Sequence, residues 1–135
     1  MMQKQTLPVI GLAPMAGITD MPMRALCYRM GATYACTEMV SAVGWMCAKK
    51  NNPAYALLLE TAPEEHNTAL QLFGKDPVLM AEAAARACEL RRFTTLDINM
   101  GCPARKVTTS GEGSALLKTP DLAAKIMEAV QKNSV

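Results

Sequence analysis

The stretch TALQLFGKDPVLMAEAAARACELRRFTTLDINM, residues 68 to 100, decides the fold. It opens on a short apolar run, Thr68 to Phe73, closed by Gly74. Asp76 and Pro77 then start a helix. Aspartate is a good N-cap, and proline is tolerated at the first helical position, where no N–H partner is needed. Leu79, Met80, Ala83, Ala84, Ala87 and Leu90 recur at helical spacing, and Arg91 and Arg92 follow, where positive charge suits the end of a helix dipole. A second apolar run, Thr94 to Met100, completes the stretch. A strand, a helix and a strand in this order predict a parallel pair joined by a crossover helix.

The same alternation extends outward in both directions. Leu7 to Ala16 reads as a strand entering a loop. Asp20 to Met30 reads as a helix with Met23, Leu26, Cys27 and Met30 on its apolar side, capped by Thr19 or Asp20 and ended by Gly31. Thr33 to Val40 reads as a second strand, followed by a helical piece over Ala42 to Lys50. Residues 51 to 66 read as irregular apart from an apolar stretch, Tyr55 to Leu59. Beyond residue 100, TTSGEGS reads as a mobile glycine-rich loop. Thr119-Pro120-Asp121 then caps a last helix bearing Leu122, Ile126, Met127 and Val130. Four strand–helix units result, and the near-continuous apolar runs suit parallel strands buried on both faces. A doubly wound sheet and a (β/α) barrel both fit. A full barrel needs eight units and roughly 250 residues, so four units make about half of one.

Composition narrows the function classes. Half of the 135 residues are hydrophobic, enough for a core and too many for a disordered tail. The net charge of +2 does not by itself point to nucleic acid. The basic pairs Lys49-Lys50, Arg91-Arg92 and Arg105-Lys106 read first as solvated helix ends or loops. Five cysteines without C-x-x-C spacing, and one histidine, His66, argue against a zinc site and against a disulfide framework. Reduced thiols suggest the cytoplasm. Lys4 could open a signal peptide, but Pro8, Gly11 and Pro14 break the apolar run behind it. No apolar run approaches a membrane span.

In a parallel α/β architecture ligands bind at the C-terminal ends of the strands. Those ends here are Ala13 to Gly17, the region of Glu38, Gln71 to Gly74, and Asn99 to Pro103. Pro14, Met15 and Ala16 would let a flat ligand lie on small side chains and backbone; an ordinary strand-to-helix turn would look the same. Glu38 reads as a brace for neighbouring loops ahead of a base. Gln71, in an apolar strand, needs partners for its amide, either a heteroaromatic edge or neighbouring backbone. Cys102 differs from the other cysteines because it lies past a strand end. Gly101 permits an unusual backbone angle there and Pro103 blocks helix continuation. A thiol so presented can act as a nucleophile, given a base, or as a general acid. Gly111-Glu112-Gly113 lacks the spacing of a dinucleotide fingerprint. His66 reads as a surface loop residue.

Taken together, LAPMAGITD at 12 to 20, TEMV at 37 to 40, LQLFG at 70 to 74, and DINMGCPARKV at 97 to 107 followed by GEGSALL resemble the tRNA-dihydrouridine synthases, and most closely their bacterial B-type. The likeness runs from about Leu7 to Val130, and the ordered set of motifs is far more specific than any one of them. It implies α/β fold class: the N-terminal half of an FMN-containing (β/α)8 barrel, with residues 1–135 a partial catalytic domain. The implied activity is reduction of the C5–C6 double bond of particular tRNA uridines. NADPH reduces the flavin, the flavin gives a hydride to C6, and Cys102 protonates C5 of a base taken out of its RNA context. Pro14, Met15 and Ala16 would lie along the flavin and Gln71 at its polar edge. Asn99 would help place flavin or uracil, and Arg105 and Lys106 would meet RNA phosphate. The second half barrel and a helical tRNA-gripping domain are expected outside these residues. The open edges of a half barrel invite self-association. A dihydroorotate dehydrogenase-like flavoenzyme and a non-catalytic remnant remain the alternatives.

Overall fold

The computed structural model describes residues 9–134. Lys4, and the first residues of the predicted opening strand, Leu7 and Pro8, lie outside the described residues. In chain order the elements are β1 (Gly11–Leu12), α1 (Met21–Arg29), β2 (Tyr34–Cys36), β3 (Val40–Ser41), α2 (Ala42–Cys47), α3 (Pro53–Leu58), β4 (Thr68–Phe73), α4 (Pro77–Leu90), β5 (Thr95–Ile98), α5 (Arg105–Thr108), a 3₁₀ turn (Gly113–Lys118) and α6 (Pro120–Asn133).

Every strand pairing is parallel. Leu12 stands beside Ala35, Cys36 beside Ala69, and Leu70 and Leu72 beside Leu96 and Ile98. The lateral order β1, β2, β4, β5 follows the chain. A doubly wound sheet reverses its order at a switch point, and this one does not. The architecture is therefore a partial (β/α) barrel, and the choice left open by the sequence falls on the barrel.

The predicted strand Thr33 to Val40 divides into β2 and β3, which pair one after the other along the same side of β4. Between their registers this edge holds one residue more than β4 does, a bulge. Thr37 repairs the ladder there. Its N–H donates to Ala69 O at 2.9 Å, and its buried hydroxyl accepts the Gln71 N–H at 3.1 Å in place of a carbonyl. The bulge turns Glu38 and Met39 toward the strand tips.

β4 is the central strand and is buried from Thr68 to Leu72. The core lies between it and α2, α4 and α6, with Trp45, Leu70, Leu72, Met80, Leu116 and Ile126 at its centre. Small residues on α4, Ala83, Ala84 and Ala87, allow α6 to pack closely through Ile126 and Val130. Asp76 caps α4 as the sequence predicts, accepting from the Val78 and Leu79 N–H groups. β5 departs from the expectation of burial on both faces: it is only half-buried, because it pairs with β4 alone.

Four local expectations are corrected. Leu26 and Met30 of α1 are exposed, and the buried face is Arg24, Ala25 and Tyr28. Arg24 is admitted because Glu65 pairs with it by two bonds, of 2.8 and 3.2 Å. The irregular stretch contains α3, started by Asn52 capping Ala54 N–H and by Pro53. The glycine-rich loop is not free: α5 and the 3₁₀ turn occupy most of residues 105–118. On α6, Met127 is exposed and Ala123 takes its place in the buried face.

Candidate active site at the strand tips

The segments beyond β1, β2 and β5, with Gln71 of β4, surround a cavity of about 470 Å³. Pro14 and Ala16 form one side. Gln71, Asp97 and Asn99 line its floor, and Gly101, Cys102 and Pro103 its rim. The structure thus brings together Pro14, Ala16, Gln71, Asn99 and Cys102 of the residues the sequence singles out. Met15 does not line the cavity. Its backbone N–H donates to the Thr19 hydroxyl at 3.0 Å, which fixes the loop between β1 and α1. Arg105 and Lys106 are exposed on α5, which follows the rim residues Gly101 to Pro103 in the chain, and they do not line the cavity. His66 is exposed, stacked at a tilt on Tyr28.

Glu38 is a brace: its carboxylate accepts the Gly17 N–H and ties the β2–β3 bulge to the β1 loop. Within the protein the Gln71 side chain bonds to neighbouring side chains and not to neighbouring backbone. Its Nε2 donates to Asp97 Oδ2 at 2.6 Å, and its Oε1 accepts from Asn99 Nδ2 at 2.8 Å. Asn99 Oδ1 in turn accepts the Cys102 N–H at 3.0 Å and the Gly101 N–H at 3.3 Å. Asp97 is the site residue that sequence reading missed. Its position two residues before Asn99 in a predicted strand, on the same face, was the signal.

Cys102 is half-buried and held from two sides. Asn99 holds its N–H, and its carbonyl accepts the Ser114 N–H at 3.0 Å. Gly113 lies against it with φ +60°, and a Cβ there would stand 2.7 Å from the Cys102 carbonyl oxygen. The GEG segment therefore buttresses the cysteine. The role expected for Gly101 changes: its φ is not positive, and a Cβ on it would meet no protein atom within 4 Å. Its missing side chain keeps the cavity mouth clear.

Below the site Cys36 is buried, and burial, reinforced by the charge of Asp97, pushes its thiol up to about 12. It is a chemically inert member of the core, unlike the presented Cys102. Among the described residues no group of three or more His, Cys, Asp and Glu side chains is arranged to hold a metal, and no helix is long and apolar enough to cross a membrane.

A parallel sheet in sequential order, with a cavity at its strand tips and a cysteine on the rim, defines a protein of (β/α)-barrel class. The sequence model of one family, dihydrouridine synthase (Dus), matches residues 11–134. The chain belongs to the dihydrouridine synthase family. It is 45% identical over 120 residues to the tRNA-dihydrouridine synthase B of Pseudomonas aeruginosa, a match covering 88% of this chain and 35% of that protein. It is 45% identical over 121 residues to the tRNA-dihydrouridine synthase B of Vibrio cholerae, covering 88% and 36%. A probable tRNA-dihydrouridine synthase of Rhodobacter capsulatus is 43% identical over 123 residues, covering 91% and 37%. The chain spans about a third of the length of these curated relatives.

Proposed function

We propose that these residues form part of the FMN-binding catalytic domain of an enzyme that reduces uridines in tRNA to 5,6-dihydrouridine. The observation that carries this reading is Cys102, presented on a cavity rim at the strand tips of a dihydrouridine synthase chain. The cavity suits a flat heteroaromatic ring: Pro14 and Ala16 offer a small apolar side, and Gln71 a polar amide edge. Met15 supports this side through its backbone rather than its side chain. A flavin held there, with NADPH as its reductant, would supply the hydride that uracil C6 needs.

The chain's own residues do the rest. Cys102 holds a proton on Sγ and gives it to C5, so that the uracil double bond gains one hydride and one proton. Asn99 and Ser114 keep the Cys102 backbone fixed while this happens. Gly101 leaves room for a base to approach the thiol. Arg105 and Lys106, exposed on α5 just after the rim residues in the chain, meet RNA phosphate. The five unpaired thiols suit a reducing cytoplasm.

The decisive experiment uses the purified protein mixed with FMN, desalted, and assayed for NADPH-dependent dihydrouridine in tRNA. Cys102→Ala is expected to retain flavin absorbance and to lose about 10²-fold or more of the activity. Undiminished activity in that variant would remove Cys102 as the proton donor. Turnover of free dihydroorotate, with none of tRNA, would overturn the substrate. Replacing Arg105 and Lys106 together with alanine should weaken tRNA binding and reduce its salt dependence by about one slope unit for each phosphate no longer neutralised.

A further inference from the structure

Asp97 stands at the head of a polarised chain of hydrogen bonds. A carboxylate only accepts, and backbone N–H groups only donate. Between these two ends lie two amides, each of which could face either way. Gln71 turns its NH₂ toward Asp97, at 2.6 Å. Its oxygen must then face Asn99, whose NH₂ meets it at 2.8 Å. The Asn99 oxygen is thereby directed at the N–H groups of Cys102 and Gly101, at 3.0 and 3.3 Å. The second Asn99 N–H lies near Met39 Sδ at 3.9 Å. Both lone pairs and both protons of the Asn99 amide are thus engaged within the protein.

We propose that Asp97 is a positioning residue for Cys102: through Gln71 and Asn99 its carboxylate fixes the amide orientations that hold the Cys102 backbone on the cavity rim. The catalytic consequence rests on the reading of Cys102 as proton donor. The structural claim rests on the hydrogen bonds alone. Such a relay crosses from one strand to the next, so its strength depends on every link being satisfied.

The test is amide hydrogen exchange at Gly101 and Cys102, followed by NMR in the full chain, with the α4 amides as the control for folding. Asp97→Ala should speed exchange at Cys102 about tenfold, the effect of one lost hydrogen bond, and leave α4 unchanged. Asp97→Asn keeps an acceptor toward Gln71 and should restore exchange to within about threefold of the parent. Gln71→Met, nearly isosteric, breaks the relay in its middle and should match Asp97→Ala. It also decides the question where Asp97→Ala does not fold. Parent-like exchange at Cys102 in the folded variants that break the relay, or an Asp97→Asn variant as fast as Asp97→Ala, would overturn the proposal. In a tRNA assay Asp97→Ala should lower kcat with KM unchanged. A parent that shows the exchange pattern but forms no dihydrouridine would sink the proposed function and leave this inference standing.

Discussion

Gly113 sits at φ +60°, and a Cβ there would stand 2.7 Å from the Cys102 carbonyl oxygen and 2.9 Å from a Val107 methyl. Neither neighbour is the loose end of a long side chain. Gly113→Ala should therefore destabilise the protein by about 1–3 kcal/mol, through overpacking and a left-handed backbone, as read by urea unfolding. Gly101→Ala makes the contrast. Its Cβ meets no protein atom within 4 Å, so stability should move by less than about 0.5 kcal/mol, while the proposed uridine reduction falls because the added methyl crowds the approach to the Cys102 thiol. Cys36 gives a third test. Its folded thiol titrates at about 12 because it is buried, whereas an unfolded thiol titrates near about 8.5. Between those values the folded state holds a proton that the unfolded state has released. The stabilisation is complete below the lower value and is lost as pH rises toward the upper one. Cys36→Ala should thus show a smaller fall in Tm between about pH 8 and about pH 10 than the parent protein.

The anchoring of α1 belongs to the level of elements. Arg24 and Glu65 are both buried, and each of their side-chain nitrogen and oxygen atoms has a hydrogen-bond partner. Arg24 also donates to Thr19 O at 2.8 Å and Glu60 O at 2.7 Å, while Glu65 also accepts from Ala62 N–H and Thr68 Oγ1 at 3.0 Å each. The network ties α1 to the segment that leads into β4. Arg24→Met keeps the volume but leaves a buried carboxylate unpaired, so about 3–5 kcal/mol of stability should disappear in urea unfolding. A loss below about 1 kcal/mol would mean that Glu65 finds water or a proton instead. This pair also explains which elements were legible. β4 and α4 declared themselves because burial of β4 and capping by Asp76 are local signals. The buried face of α1 did not, because an arginine is placed inside only by a partner 41 residues away. The bulge at Thr37 was hidden for the same reason: its cause is the register against β4. At the site, Gln71, Asn99 and Cys102 could be picked out singly, but the bonds that join them cross strands and needed the fold.

For the molecule as a whole, the edges of the sheet matter most. Among the described residues β4 is paired on both sides, whereas β1 and β5 each pair on one side only. β5 is half-buried from Leu96 to Ile98 with its remaining edge uncovered, and Val9 and Ile10, just before β1, are 79% and 60% exposed. Uncovered parallel edges flanked by apolar side chains are templates for pairing with another chain. A polypeptide of these 135 residues should therefore self-associate, with sedimentation velocity showing species above 14.5 kDa that grow with concentration. Thr95→Lys places a charge at the exposed start of β5 and should shift the distribution toward monomer without changing helix content. A monomer at every concentration would mean that side chains already shield the edges. In that case flavin retention by the same sample would have to come from the cavity of a single arc, in which the amide edge of Gln71 and the backbone held by Asn99 stand without help from a second copy.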